Sequence, residues 1–217
     1  PYVDAGATAF DANDGNLDLQ IVITNPVNTN MLGTYIVIYT VTDNDGNTAQ
    51  IERTVHVVDT TKPVITLLGD TTVTQEVFTP YNDVGAEARD SFEGDLRTSL
   101  ITINPVNTTL LGTYDITYNV RDDAGNDADE VVRTVRVVDT TAPIITINGN
   151  DEVTLEVGTT YTDLGATASD NYDNDNDLSG NIDRVIPVDS SSVGTYTVTY
   201  RVSDASGNAA TPVNRTV

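Results

Sequence analysis

Apolar residues in this chain fall on alternate positions, and turn residues break the alternation at short intervals. Over residues 114–122, Tyr114, Ile116, Tyr118 and Val120 point one way and Asp115, Thr117, Asn119 and Arg121 the other. A two-residue period of this kind marks an antiparallel strand with one face on a core. Val131, Arg133, Val135 and Val137 alternate in the same way in the next strand. Residues 64–68, 73–77, 85–90 and 100–103 are shorter runs rich in β-branched side chains, and Asn104 and Pro105 supply a turn. No stretch has a helical period, so none is predicted to be helical.

The same pattern occurs three times. Tyr2-x-Asp4-x-Gly6-Ala7 returns at Tyr81-x-Asp83-x-Gly85-Ala86 and at Tyr161-x-Asp163-x-Gly165-Ala166. Gly33-Thr34-Tyr35 returns at Gly112 and Gly194, and Asp43-x-x-Gly46-Asn47 at Asp122 and Asp204. Three motifs with nearly the same period define a tandem array. Seven or so short strands per repeat predict an all-β chain of immunoglobulin-like sandwiches. The Gly-Thr-Tyr before the alternating strand matches the tyrosine corner of that fold.

Between the repeats lie Val57-Val58-Asp59-Thr60-Thr61-Lys62-Pro63 and Val137-Val138-Asp139-Thr140-Thr141-Ala142-Pro143. Proline fixes its own φ and pushes the preceding residue to an extended conformation, so these are short, stiff joints. They divide the chain into modules 1–60, 61–140 and 141–217. In this frame the first module starts part-way and the third stops just before its own joint, so the chain reads as a piece of a longer array. The edge of module one near residues 2–9 is expected to be covered by strand addition from a neighbouring chain, or frayed.

The succession Asp-Thr-Thr-x-Pro-x-Ile (from Asp59 and Asp139), Tyr-x-Asp-x-Gly-Ala, an Asp-rich loop, Gly-Thr-Tyr and Asp-x-x-Gly-Asn resembles bacterial Ig-like surface repeats. These are relatives of the hyalin-repeat type and of the Ig-like modules of pesticidal crystal proteins. The resemblance covers the whole chain. It implies extracellular tandem modules of secreted or cell-surface proteins, often adhesins or the non-catalytic parts of enzymes.

Charge then narrows the chemistry. A net charge of −23 argues against nucleic acid and anionic membrane surfaces. No apolar run is long enough to span a bilayer, so direct membrane insertion is not expected. Without cysteine there is neither a disulfide nor a thiolate metal site. Modules this small have marginal cores and often need a staple.

A cation is the candidate staple. In an Ig-like sandwich the loops at the entry end lie together. Asp59 and Thr60, the acidic loop with Asp90, Glu93 and Asp95, and the turn with Asp122 and Asp123 are therefore predicted to converge. Asp139, Asp170, Asp173 and Asp204 repeat the plan in the third module. Asp4 and Asp83 are expected to approach the two joints from the modules before them, and module one offers Asp11, Asp14, Asp43 and Asp45. Gathered carboxylates repel unless cations or protons neutralise them. Hard oxygen ligands without His or Cys suit calcium rather than zinc or copper. The competing reading is that Asp, Asn and Gly are simply turn formers.

The third module lengthens its acidic loop. Asp173, Asp175 and Asp177 have the alternate spacing of a calcium loop, but Leu178 stands where an EF-hand needs glycine and Arg184 where it needs glutamate. Nine tyrosines sit in repeat register and belong to the core; only Tyr172 does not, and it is the aromatic to watch for ligand contact. His56 lies on the outward face of its strand, and Lys62 is the only lysine. No nucleophile elbow is present, and carboxylates that repeat with the turn glycines favour a structural role over glycoside hydrolysis. The expected function is a non-catalytic extracellular stalk or adhesin segment whose partners are its neighbouring modules. The alternatives are a carbohydrate- or surface-binding accessory module of a secreted enzyme, and homophilic adhesion through module one.

Overall fold

The computed structural model describes residues 2–217, and its regular structure is nearly all strand, joined by turns and irregular segments. It divides into two compact units. Of the described residues, the first contains those up to 66, 86–101 and 118–131; the second contains 67–85, 102–117 and 132–217. The residues of the middle module expected from sequence are shared between these units.

In the first unit, Val22–Thr24, Gly33–Thr42 and Thr48–Val57 form an antiparallel sheet. Tyr35 lies opposite Val55 and Tyr39 opposite Ile51. Ala86–Asp90 pairs with Gly94–Asp95, bringing Arg89 opposite Asp95. No strand forms over residues 2–9. Ala9 donates its N–H to Asp18 and its carbonyl accepts from Leu17, while Arg53 donates to the Asp4 carboxylate and the Gly6 carbonyl and the Tyr39 hydroxyl donates to Asp4. This segment is thus held largely by side chains rather than by a ladder.

In the second unit, Ile144–Ile147 pairs with Ala166–Ser169, and Asp183–Val185, Thr197–Arg201 and Val213–Thr216 form a three-stranded sheet. Ile145, Ala168, Leu178, Val198, Tyr200, Val202 and Ala210 make one core. A four-stranded sheet takes the order Ile101–Ile103, Gly112–Asn119, Val131–Val138, Thr72–Glu76, its last pair parallel. The predicted alternation is seen in burial: Ile116, Tyr118, Val120, Val135 and Val137 are buried, and Asp115 and Arg136 are exposed. The hydroxyls of Tyr35, Tyr114 and Tyr196 each donate to a carbonyl four residues upstream, the hydrogen bond that defines the corner.

Helix was not predicted, yet Asp175–Gly180 is a short α-helix and Asp18–Gln20 and Arg97–Ser99 are 3-10 turns. The α-helix replaces the extended calcium loop expected at Asp173, Asp175 and Asp177. Leu178 is the reason: it is 4% exposed and belongs to the core, and one helical turn lets it reach inward. Ser179 then fixes the turn, accepting the Ala168 N–H and donating to the Ala168 carbonyl.

Candidate metal centres

Each Asp-x-x-Gly-Asn motif folds into the same turn. In Asp122–Asn126 the Asp122 N–H reaches the Asn126 carbonyl at 3.1 Å and Gly125 adopts a φ of +95°, which glycine tolerates without a steric penalty. The Asp122 carboxylate accepts the Asn126 backbone N–H at 2.6 Å and its side-chain amide at 2.7 Å. That amide also donates to the Asp59 carbonyl at 3.3 Å. The turn at Asp204 repeats this through Asn208, which donates to the Asp139 carbonyl at 3.1 Å. The asparagine thus ties the last hairpin to the joint that leads into its repeat.

Two sets of acids are gathered as a result. Asp59, Asp90 and Asp122 each place a carboxylate oxygen within 4.8 Å of the others, and so do Asp139, Asp170, Asp173 and Asp204. A common local geometry aims them. One oxygen of Asp59 accepts the Thr61 N–H and one of Asp139 the Thr141 N–H. Asp90 takes the N–H groups of Phe92 and Glu93, and Asp170 those of Tyr172 and Asp173. The opposite oxygen of each is left bare. Among the described residues, the buried side-chain oxygens without a hydrogen-bond partner are Asp59 Oδ2, Asp90 Oδ2, Asp139 Oδ2, Asp170 Oδ1 and Asp173 Oδ2. Every one belongs to these two clusters. A buried polar atom without a partner is costly, and a buried carboxylate oxygen more so.

Burial pushes the Asp139 carboxyl above its usual range, and the charges of Asp170 and Asp204 add to this against hydrogen bonds from Thr141 and Ser206. Burial acts on Asp122 in the same direction, but hydrogen bonds from Asn126 outweigh it and hold that carboxyl below its usual range.

The other predicted acids are used elsewhere. Asp4 and Asp83, expected near the joints, are held by Arg53 and Arg133 inside their own repeats. Arg215 holds Asp163 in the same way. Each aspartate also accepts a tyrosine hydroxyl, from Tyr2, Tyr81 and Tyr161 in turn. The guanidinium groups donate to nearby carbonyls too, Arg133 to Asp70 at 3.0 Å and Arg215 to Asn150 at 2.9 Å. Burial, then the hydrogen bond to Asp4, pushes Tyr39 up to about 12. These arginine sites were not assigned from sequence. Their signal was there: an arginine at the same step of an inward-facing strand in every repeat.

In module one, Asp14 accepts both N–H donors of Asn44, Asp43 is closed by Asn47, and Asp11 caps the N–H groups of Asn13 and Asp14. With Asp45 exposed, these four are not gathered as the joint acids are. Glu93 accepts the Asp123 N–H at 2.8 Å, and Asp95 pairs with Arg97 at 2.6 Å. Asp175 accepts the Asp170 N–H at 3.3 Å and lies, like Asp177, in the helix; neither joins the cluster. Tyr172 packs its ring 5.9 Å from that of Phe78. No helix among the described residues is long and apolar enough to cross a membrane.

Comparison with known proteins agrees with the repeat. A family model described as "Bacterial surface protein, Ig-like domain" matches residues 1–57, 65–137 and 145–217. An uncharacterized 81.3 kDa protein of Acholeplasma phage L2 is 33% identical over 217 residues, covering 92% of this chain and 28% of that protein. Hyalin of Strongylocentrotus purpuratus is 31% identical over 234 residues, covering 100% of this chain and 19% of hyalin. Pesticidal crystal protein Cry22Aa of Bacillus thuringiensis is 31% identical over 159 residues, covering 69% of this chain and 21% of that protein. The chain thus spans less than a third of the length of these relatives. The chain belongs to the family of Ig-like domains of bacterial surface proteins, with three copies in tandem.

Proposed function

We propose that this chain is a non-catalytic segment of an extracellular surface protein, and that calcium at the Asp59 and Asp139 joints stiffens it. The observation that supports this reading is the set of five bare, buried carboxylate oxygens, all in the two clusters at the joints. The donor set is oxygen alone and carries three or four negative charges, which suits a hard divalent ion of flexible coordination. When bound, calcium supplies positive charge that cancels the repulsion among these carboxylates. The chain's own residues do the positioning. Asn126 and Asn208 hold the joint carbonyl to the hairpin, and the turns at Asp90 and Asp170 aim one oxygen of each inward. A cation held by Asp59, Asp90 and Asp122 would tie the connecting segment to two loops of the repeat that follows it. Affinity is expected at roughly 10⁻⁴–10⁻³ M, the range of extracellular calcium modules.

The test is to compare small-angle scattering and thermal melting of the chain in chelator and in millimolar calcium. A higher melting temperature and a radius of gyration changed towards a stiffer chain are expected. Identical values in the two buffers contradict the reading.

A further inference from the structure

The two clusters differ in a way their shared motifs do not predict. Asp170-Asn171-Tyr172-Asp173 lies in repeat register with Asp90-Ser91-Phe92-Glu93, so Asp173 and Glu93 take the same step of the loop. Asp173 joins its cluster and keeps one buried oxygen bare. Glu93, one methylene longer, is taken up by the Asp123 N–H instead. The Asp139 cluster therefore has four acids and the Asp59 cluster three.

The four-acid cluster is also braced from outside. The Glu76 carboxylate accepts the Thr140 N–H at 3.0 Å, the Thr140 hydroxyl at 2.6 Å and the Thr141 hydroxyl at 2.8 Å. Those threonines directly follow Asp139. Two residues beyond Glu76, Phe78 sits at a φ of 58°, its N–H bonded to the Thr108 carbonyl at 2.7 Å and its ring against Tyr172. A left-handed φ is uncommon for a bulky residue and marks a tightly determined turn. Glu76 and Phe78 thus grip both strands of chain that present the carboxylates.

We infer that the chain holds two calcium sites of unequal strength, the tighter at Asp139, with Asp173 as its additional ligand and Glu76 as its positioning residue. This rests on the calcium reading given above. Calcium affinity in such sites follows the number of charged ligands and the rigidity of the site, and the Asp139 cluster leads in both. A site already in its bound shape loses less freedom on binding.

Calorimetric titration of the 217-residue chain with calcium chloride, after treatment with chelator, tests this. Two resolved classes are expected, separated by about tenfold or more in affinity. Asp173→Asn and Glu76→Gln each weaken the tighter class and leave the other unchanged, so the Asp59 class reports within the same sample that the chain is folded. Asp59→Asn removes the weaker class alone. Two classes of equal affinity, or a tighter class that survives Asp173→Asn and Glu76→Gln and is lost in Asp59→Asn, overturn the inequality and leave the calcium reading standing. Absence of any binding at millimolar calcium removes that reading, and the inequality with it.

Discussion

Arg215 closes its guanidinium on the Asp163 carboxylate in the interior of the third repeat, where the two side chains are 1% and 4% exposed. Arg133 with Asp83 and Arg53 with Asp4 repeat the pairing. A charged residue can occupy the inward face of a strand of valines only if its charge and its donors are met. Here the aspartate of Tyr-x-Asp-x-Gly meets the charge, and carbonyls such as that of Asn150 meet the donors. Asp163→Ala leaves a buried guanidinium uncompensated. Urea unfolding of this variant is expected to show a loss of about 3–5 kcal/mol.

The same pair sets a pH dependence. Burial raises the Asp163 carboxyl, but hydrogen bonds from Tyr200, Gly165 and Tyr161 and the charge of Arg215 hold it below 3.8 overall. A carboxyl whose value is lower in the folded than in the unfolded chain adds stability that is fully present above the unfolded value. That stability is lost as pH falls through the folded one. Melting temperature in chelator is therefore expected to fall below about pH 4. In Asp163→Asn the fall should be shallower, because one of the groups that takes up a proton on unfolding is gone. Equal slopes for the two proteins would show that Asp163 does not couple to folding.

Asp139 should behave oppositely at neutral pH. Its Oδ2 is buried without a partner, and one of its carboxylate oxygens lies within 4.8 Å of carboxylate oxygens from Asp170, Asp173 and Asp204. Without a cation this charge weakens the fold; with one it is a ligand. Asp139→Asn is expected to melt above the unmodified chain in chelator and below it in calcium. A ligand at a hundred times its dissociation constant adds about 2.7 kcal/mol. For a domain of this size, 1 kcal/mol moves the melting temperature by roughly 4–8 °C, so the crossing is measurable. A variant that melts below the unmodified chain by the same margin in both buffers would reduce Asp139 to a turn former.

Much of this arrangement was legible in the sequence because it is periodic. Alternation gave the strands Gly112–Asn119 and Val131–Val138, and the three-fold motifs gave the repeat. Convergence of Asp59 with Asp90 and Asp122 followed from which loops share an end of a sandwich. What escaped was information carried by pairs. No local motif links Asp4 and Asp83 to Arg53 and Arg133, which lie 49 and 50 residues further on. Spacing cannot show that a carboxylate is already neutralised by a distant strand. The Asp173, Asp175, Asp177 alternation misled for a related reason: Leu178 has a core to fill, and burying it wound the segment into a helix. Glu76 was silent because its partners, Thr140 and Thr141, belong to a joint rather than to the motif it sits in.

The claim that the joint carboxylates hold calcium is tested most directly by anomalous diffraction from crystals grown in millimolar calcium. The account predicts one peak among Asp59, Asp90 and Asp122 and one among Asp139, Asp170, Asp173 and Asp204, each with oxygens at about 2.3–2.6 Å. A map without density at both places, with the carboxylates turned away from one another, would contradict it.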